Sequence, residues 1–374
     1  MDAVLVAALI VLALVAWAIV STLRADARAA LTVQPTSEDH ATSARPEPIP
    51  KSPSEAPPVP SLVEDDDIIE ITVVEAAPLT EPPPRDNVET KTAGTVVEVM
   101  YEDEADTEEL TMPVARILVS AYGNTDVGKL RRRNEDSLLV FPERSVFCVA
   151  DGMGGYAGGN IASALAVETL RASFDNGHFD AKTLAKTEVP RRGRELACAI
   201  QMANQAVYAK AQSDPALEQM GTTMVAARFS PNKQRVYIGH VGDSRCYRLR
   251  QTTLRQLTRD HTMAELMGLH GPGAQHLFQA VGIRSNIFID LVVDKPRVND
   301  LYLLCSDGLS KMVKDDQIRD ALLADSNVDS CVRTLIDLAN AHGGRDNTTV
   351  ILVKVVEPAP LLEASPAPGR MAKN

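Results

Sequence analysis

Two apolar runs in this chain each lead into a carboxylate, and that pattern limits what it can fold into. Val146, Phe147, Cys148, Val149 and Ala150 precede Asp151; Leu301, Tyr302, Leu303, Leu304 and Cys305 precede Ser306 and Asp307. Short apolar runs suit buried strands, and a carboxylate on a buried strand loses hydration unless a cation compensates it. Several such strand ends meeting in one place form an all-oxygen pocket suited to hard ions such as Mg²⁺ or Mn²⁺. Asp151 is the foremost candidate for a carboxylate shared by two ions, since Gly152, Gly154 and Gly155 allow a sharp turn beside it. The Gly152 carbonyl is a candidate ligand at the same turn. Arg131 stands four residues before Glu135 and five before Asp136, and a guanidinium is a natural fork for a phosphate dianion.

The net charge of −12 is unevenly spread. Residues 24–112 hold 6 basic against 21 acidic residues, so the remainder is mildly basic. No basic stripe with interleaved aromatics is present, which argues against nucleic-acid binding. The five cysteines, Cys148, Cys198, Cys246, Cys305 and Cys331, form no C-x-x-C pair. They read as buried free thiols of a reducing compartment rather than a zinc site or disulfide framework.

Residues 3–23 are almost wholly apolar, about the length of a bilayer-spanning helix. The rival reading is a cleaved signal peptide ending at Ala25-Asp26-Ala27, but nothing positive precedes the run. Arg24 and Arg28 follow it, which orients the chain after residue 23 toward the cytoplasm. The expectation is therefore a single-pass protein of the inner (cytoplasmic) membrane with a cytoplasmic body. Residues 24–112 read as a disordered, proline-rich acidic linker, which anionic lipid would repel. Two apolar patches interrupt it, at 68–74 and 96–100, and are either partner-docking strands or residual hydrophobicity.

The body is expected over 113–357, with a flexible tail at 358–374. Strand patterns fall at 115–121, 145–150, 224–229, 235–240, 246–249, 288–293, 301–305 and 348–355. Helical periodicity falls at 159–170, 194–212, 315–324 and 327–342. Strands in consecutive runs and helices in pairs predict a layered α+β fold.

The chain resembles the metal-dependent protein Ser/Thr phosphatases, the protein phosphatase 2C-like (PPM) family in its bacterial form, over about 118–355. The resemblance rests on Thr125-Asp126-Val127-Gly128 leading through Arg131 to Asn134-Glu135-Asp136, and on Val149-Ala150-Asp151-Gly152-Met153-Gly154-Gly155. It continues with Gly221-Thr222-Thr223, Gly239-His240-Val241-Gly242-Asp243-Ser244-Arg245 and Leu257-Thr258-Arg259-Asp260-His261-Thr262. Cys305-Ser306-Asp307-Gly308-Leu309 and Gly344-Arg345-Asp346-Asn347 complete it. It implies an αββα sandwich, two central sheets flanked by helix pairs, with a binuclear Mn²⁺/Mg²⁺ site at one end. In that carry-over Asp151 bridges the ions, Gly152 offers its carbonyl, Asp307 and Asp346 hold the first ion, and Glu135 and Asp136 act through water. Arg131 grips the substrate phosphate, and Asp243 with Asp307 holds a third, weaker ion. The implied reaction is hydrolysis of phospho-Ser and phospho-Thr by a metal-bridged hydroxide, with no phosphoenzyme. Phosphorylated proteins are the implied substrates, and a counteracting Ser/Thr kinase the implied partner.

Two departures stand out. Tyr156 occupies the place of a histidine usual in bacterial members, and tyrosine is a much weaker acid at neutral pH, so the leaving-group proton donor stays unassigned. The segment 261–280 is short for the flap of such proteins and rich in glycine and histidine. Its His270 and His276 read as exposed loop residues, not ligands. The alternative function, a non-catalytic phosphoprotein-binding scaffold on the same fold, requires that metals fail to bind.

Overall fold

A computed structural model of the chain describes residues 72–75, 96–101, 117–154, 158–177, 179, 189–230, 234–271 and 273–357. The expected membrane span at 3–23, most of the linker, Tyr156 and the tail at 358–374 lie outside these residues. Among the described residues, no helix is long and apolar enough to cross a membrane.

The strands in chain order are β1 (Thr72–Glu75), β2 (Val96–Tyr101), β3 (Leu118–Asp126), β4 (Asp136–Phe141), β5 (Val146–Met153), β6 (Gly221–Thr222) and β7 (Met224–Ser230). They continue with β8 (Arg235–Val241), β9 (Arg245–Arg250), β10 (Thr253–Gln256), β11 (Phe288–Asp294), β12 (Leu301–Cys305) and β13 (Thr348–Val356). The helices are α1 (Gly158–Asn176), α2 (Arg191–Ser213), α3 (Met263–Met267), α4 (Asp307–Ser310), α5 (Asp315–Ala324) and α6 (Val328–Ala341). One sheet runs β1-β2-β11-β8-β7-β5-β4, with β6 attached to β5, and the other runs β10-β9-β12-β13-β3.

Strand periodicity sorts the side chains into three cores. Phe147 and Val149 of β5, Tyr302 and Leu304 of β12, and Ile351 and Val353 of β13 meet in a layer fed by both sheets. Their neighbours point the other way. Cys148 and Ala150 face a core with α1 and α2, while Leu303, Cys305 and Leu352 face one with α5 and α6. Strands buried on both faces read as unbroken apolar runs, which is why 301–305 was legible as a strand. On α2, Leu196, Ile200, Ala203 and Val207 form the buried stripe. Asn327 caps α6 by accepting from the Ser330 N–H at 3.0 Å. The result is an α+β fold of two sheets with helices against their outer faces.

Sequence patterns missed β4, because Asp136 and Ser137 at its start read as part of an acidic motif, and the short edge strand β10. The strand expected at 115–121 begins at Leu118 and runs to Asp126, because its pairing with β13 extends from Leu118↔Val356 to Thr348↔Asp126.

The linker reading needs correction for two stretches. β2 pairs in parallel with β11 from Phe288↔Val96 to Val293↔Tyr101, and β1 pairs in parallel with β2. Val97, Val99 and Met100 are buried: the first two join the helix-side core, and Met100 joins the layer between the sheets. Apolar residues that cap an open sheet edge gain burial and main-chain hydrogen bonds together, which outweighs the freedom this piece of chain gives up. Val97→Asp in the full-length chain is expected to cost about 3 kcal/mol by burying an unpaired charge. Thermal unfolding would then fall by about 6–12 °C for a domain of this size. An unchanged transition would show that β2 contributes nothing to the fold.

Candidate metal centre

Strand direction brings the acidic residues to one end of the sandwich. Asp136 opens β4 and pairs directly with Asp151 of β5. Asp307 follows β12 and Asp346 precedes β13, and these strands run antiparallel with Cys305 opposite Val350, so both carboxylates leave at the same end. Asp243 lies in the turn between β8 and β9.

A frame of neutral donors holds this end together. The Asp136 carboxylate accepts at Oδ2 from the Ser306 hydroxyl (2.8 Å) and the Thr349 hydroxyl (2.6 Å), which ties one sheet to the other. The Asp151 N–H donates to Thr223 Oγ1 (3.1 Å), and the Asp151 carbonyl accepts from the Thr223 N–H and the Thr222 hydroxyl, each at 2.8 Å. Gly152 is obligatory at its position, since a Cβ there would lie 2.1 Å from the Gly159 carbonyl oxygen and 2.5 Å from that of Glu135. Gly308 is equally constrained, at 1.9 Å from the Asn347 carbonyl oxygen.

Asn347 organises the loop that carries Arg131. Its Nδ2 donates to the carbonyls of Val127 and Arg133 at 2.9 Å each, while its Oδ1 accepts from the Glu135 N–H at 2.9 Å. Arg131 donates to Asp346 Oδ2 at 2.7 Å from a half-exposed side chain, so its remaining N–H groups are open to solvent. Asp346 Oδ1 accepts from the Asn347 N–H at 2.9 Å.

The turn holding Asp243 is locked from outside. Arg245 forks onto Asp260 with contacts of 2.7–3.2 Å. The His261 N–H donates to the Gly242 carbonyl at 2.7 Å, and His261 Nδ1 accepts from the Gly242 N–H at 3.2 Å. His240, His261 and Asp290 form a buried group whose ligating atoms lie within 4.8 Å of one another. Because Nδ1 of His261 is an acceptor, its hydrogen sits on Nε2, facing Asp290 at 3.3 Å. That nitrogen has no lone pair left for a cation, so the group is a clamp under the turn. His270 and His276 are exposed.

The sequence reading named Arg131, Glu135, Asp136, Asp151, Gly152, Asp243, Asp307 and Asp346. The frame residues Ser306, Thr223, Asn347 and Arg245 were visible only as motif members and Thr349 only as part of an expected strand, because a hydroxyl or amide spacing carries no mark of its partner. Lys311 was missed entirely. Its ammonium contacts Asp243 Oδ2 at 3.1 Å and Asp307 Oδ2 more closely still.

These residues fit divalent ions on two counts. Asp136 Oδ1 and Asp307 Oδ1 are buried with no hydrogen-bond partner. Burial first, then the charges of Asp136, Asp307, Asp243 and Asp346, pushes the Asp151 carboxyl well above the usual range. Burial likewise raises Asp136 to about 6, against the hydrogen bonds from Thr349 and Ser306. Carboxylates so raised hold protons in the folded chain that the unfolded chain has already released. Without metal, stability present below about pH 4 is therefore lost as pH rises through about 6. Bound ions need the deprotonated oxygens and reverse this trend. The melting temperature in saturating Mn²⁺ minus that in EDTA should widen between pH 5 and pH 7. An equal difference at both pH values would mean that the acidic end is not where the ions bind.

Comparison with known proteins agrees with this geometry. The family described as protein phosphatase 2C matches residues 131–343. The chain is 36% identical over 243 residues to the serine/threonine phosphatase stp of Listeria welshimeri, covering 62% of this chain and 93% of that protein. The crystal structure of the Mycobacterium tuberculosis serine/threonine phosphatase PstP/Ppp superposes with a TM-score of 0.56 at 32% identity, covering 65% of this chain and all of that one. A structure of the PstP catalytic domain in complex with two manganese ions gives 0.55 at 35% identity, with 64% and 100% coverage. This chain belongs to the protein phosphatase 2C family.

Proposed function

We propose that this chain is a metal-dependent protein phosphatase that removes phosphate from serine and threonine side chains, using two Mn²⁺ or Mg²⁺ ions. The observation that carries this reading is the convergence of Asp136, Asp151, Asp243, Asp307 and Asp346 beside Arg131. Similar proteins named Ser/Thr phosphatases, one of them described with two manganese ions, support it. In this reading Asp151, the Gly152 carbonyl, Asp307 and Asp346 hold the ions, and Glu135 and Asp136 reach them through water. When bound, the ions supply a water acidic enough to attack phosphorus at neutral pH and a positive field for the charge on the phosphoryl oxygens.

The chain's own residues position and steady the substrate. Arg131 is held by Asp346 through one N–H and turns others toward an incoming phosphate dianion, matching its oxygens in a fork. Ser306 and Thr349 fix the Asp136 carboxylate so that its free Oδ1 has one orientation. The hydroxyl of Thr223 fixes the backbone of Asp151. No cysteine competes as nucleophile, since all five are free and buried, and burial lifts the Cys305 thiol to about 12.

The membrane reading is a further part of the proposal and rests on sequence. Residues 3–23 span the inner membrane, residues 24–71 and 76–95 belong to an acidic tether, and the catalytic body lies in the cytoplasm, where it opposes a membrane-associated Ser/Thr kinase. Fractionation of cells should place the full chain with the membrane and a chain lacking residues 1–24 in the soluble fraction. Equal partition of the two would reject the anchor.

With p-nitrophenyl phosphate and Mn²⁺, Asp151→Asn should lower turnover by at least about a hundredfold, the scale on which loss of one preorganised electrostatic group acts. Arg131→Ala should raise KM for a phosphopeptide about tenfold with a smaller change in kcat. If Asp151→Asn kept wild-type turnover, the two-metal reading would fail. A wild-type chain that binds no Mn²⁺ and turns nothing over would favour the non-catalytic scaffold. An unchanged KM in Arg131→Ala would remove the phosphate-gripping role.

A further inference from the structure

Between Asp243 and Asp307, where the family resemblance expects a third and weaker divalent ion, this chain places an ammonium group. Lys311 lies four residues after Asp307, and its backbone N–H donates to the Asp307 carbonyl at 2.8 Å, which fixes the root of the side chain. Its Nζ reaches Asp243 Oδ2 at 3.1 Å and Asp307 Oδ2 at closer range.

We propose that Lys311 is a built-in cation that replaces the third divalent ion, so that this phosphatase takes two ions per chain and not three. The inference rests on the reading that Asp151, Asp307 and Asp346 hold the paired ions.

Three observations carry it. First, the two carboxylates that the resemblance assigns to a third ion are the two that the ammonium engages. An ammonium has donors and no acceptors, so it can only compete with a metal at that place and cannot join its coordination shell. Second, the division of Asp307 is clean. Oδ2 meets Lys311 while Oδ1 is buried and without a hydrogen-bond partner, which leaves one oxygen for the paired ions. Third, Asp243 is only 5% exposed and its turn is locked by His261 and by the Arg245–Asp260 fork, so the carboxylate cannot swing out to escape the lysine. A tethered charge is present at a high effective local concentration, and a doubly charged ion would enter against its repulsion. Lys311 therefore acts as a positioning residue that fixes Asp243 and Asp307 whatever the free metal concentration.

The test is metal stoichiometry. Full-length protein in detergent, stripped with EDTA, is dialysed to equilibrium against rising Mn²⁺, and bound manganese per chain is measured by mass spectrometry. The wild type should level off at two. Lys311→Met, which keeps the apolar stem at a part-exposed position, should gain a third and weaker ion, and adding Asp243→Asn should return the plateau to two. Lys311→Arg, which keeps the charge, should stay at two. A wild-type plateau of three would overturn the proposal, and so would a Lys311→Met plateau that stays at two. A wild-type plateau below two would instead reject the paired-ion reading beneath it. Activity against Mn²⁺ should follow a single saturation curve in the wild type and gain a second, higher-concentration phase in Lys311→Met.

Discussion

Everything at the working end of this molecule follows from packing several carboxylates where water is scarce. Asp136 and Asp151 face each other as a register pair, and Asp307 and Asp346 arrive beside them from the other sheet. A buried anion costs several kcal/mol unless paired, so such an end is stable only with protons or cations among its oxygens. The sandwich explains why the cost falls here and not elsewhere. Its three apolar cores hold the strands to their ends, and at this end the turns beyond them bring several carboxylates together.

The rigidity is supplied by neutral partners, and their distribution is informative. Ser306 and Thr349 belong to the second sheet, yet both bond Asp136 of the first. That contact sets the spacing between the sheets at the point where ions would bind. Asn347 does the same for the Arg131 loop, using both ends of one amide. A hydroxyl or an amide can satisfy one carboxylate oxygen without neutralising it, which leaves the other oxygen free for a metal. Charged partners at these positions would have consumed the negative charge the site needs. The charged partners are Arg131, on Asp346, and Lys311, which bridges Asp243 and Asp307.

Much of this was legible in the chain because it depends on local order. The runs before Asp151 and Asp307 announce strands buried on both faces, and the glycines after each aspartate mark turns where backbone atoms approach within contact distance. The stripe Leu196, Ile200, Ala203, Val207 gives α2 by its period alone. What stayed hidden depends on pairing between distant segments. Nothing local in Asn347 says that it will bond Val127 and Arg133, and nothing in Lys311 says that it will face Asp243, 68 residues away. β4 was obscured because an acidic start and an apolar continuation gave conflicting signals. The linker patch at 96–100 had the right composition for a strand, but a strand needs an edge, and the sequence does not say where one lies open.

That edge connects the tether to the body. β11 pairs with β8 on one side and would be a bare edge on the other, with Leu291 and Val293 in the apolar layer beneath. Strands of this kind invite pairing with other chains. β2 covers it from within the same polypeptide, and Arg259 lies 3.8 Å from the sulfur of Met100. Asp290, two residues along β11 from its start, is the partner of His261, and His261 in turn grips the Gly242 turn that presents Asp243. The strand that receives the tether is thus one side of the clamp under an acidic residue of the site. A catalytic fragment cut at residue 113 would lack that cover. Among the described residues, β2 lies before residue 113 in the chain and still packs as part of the first sheet.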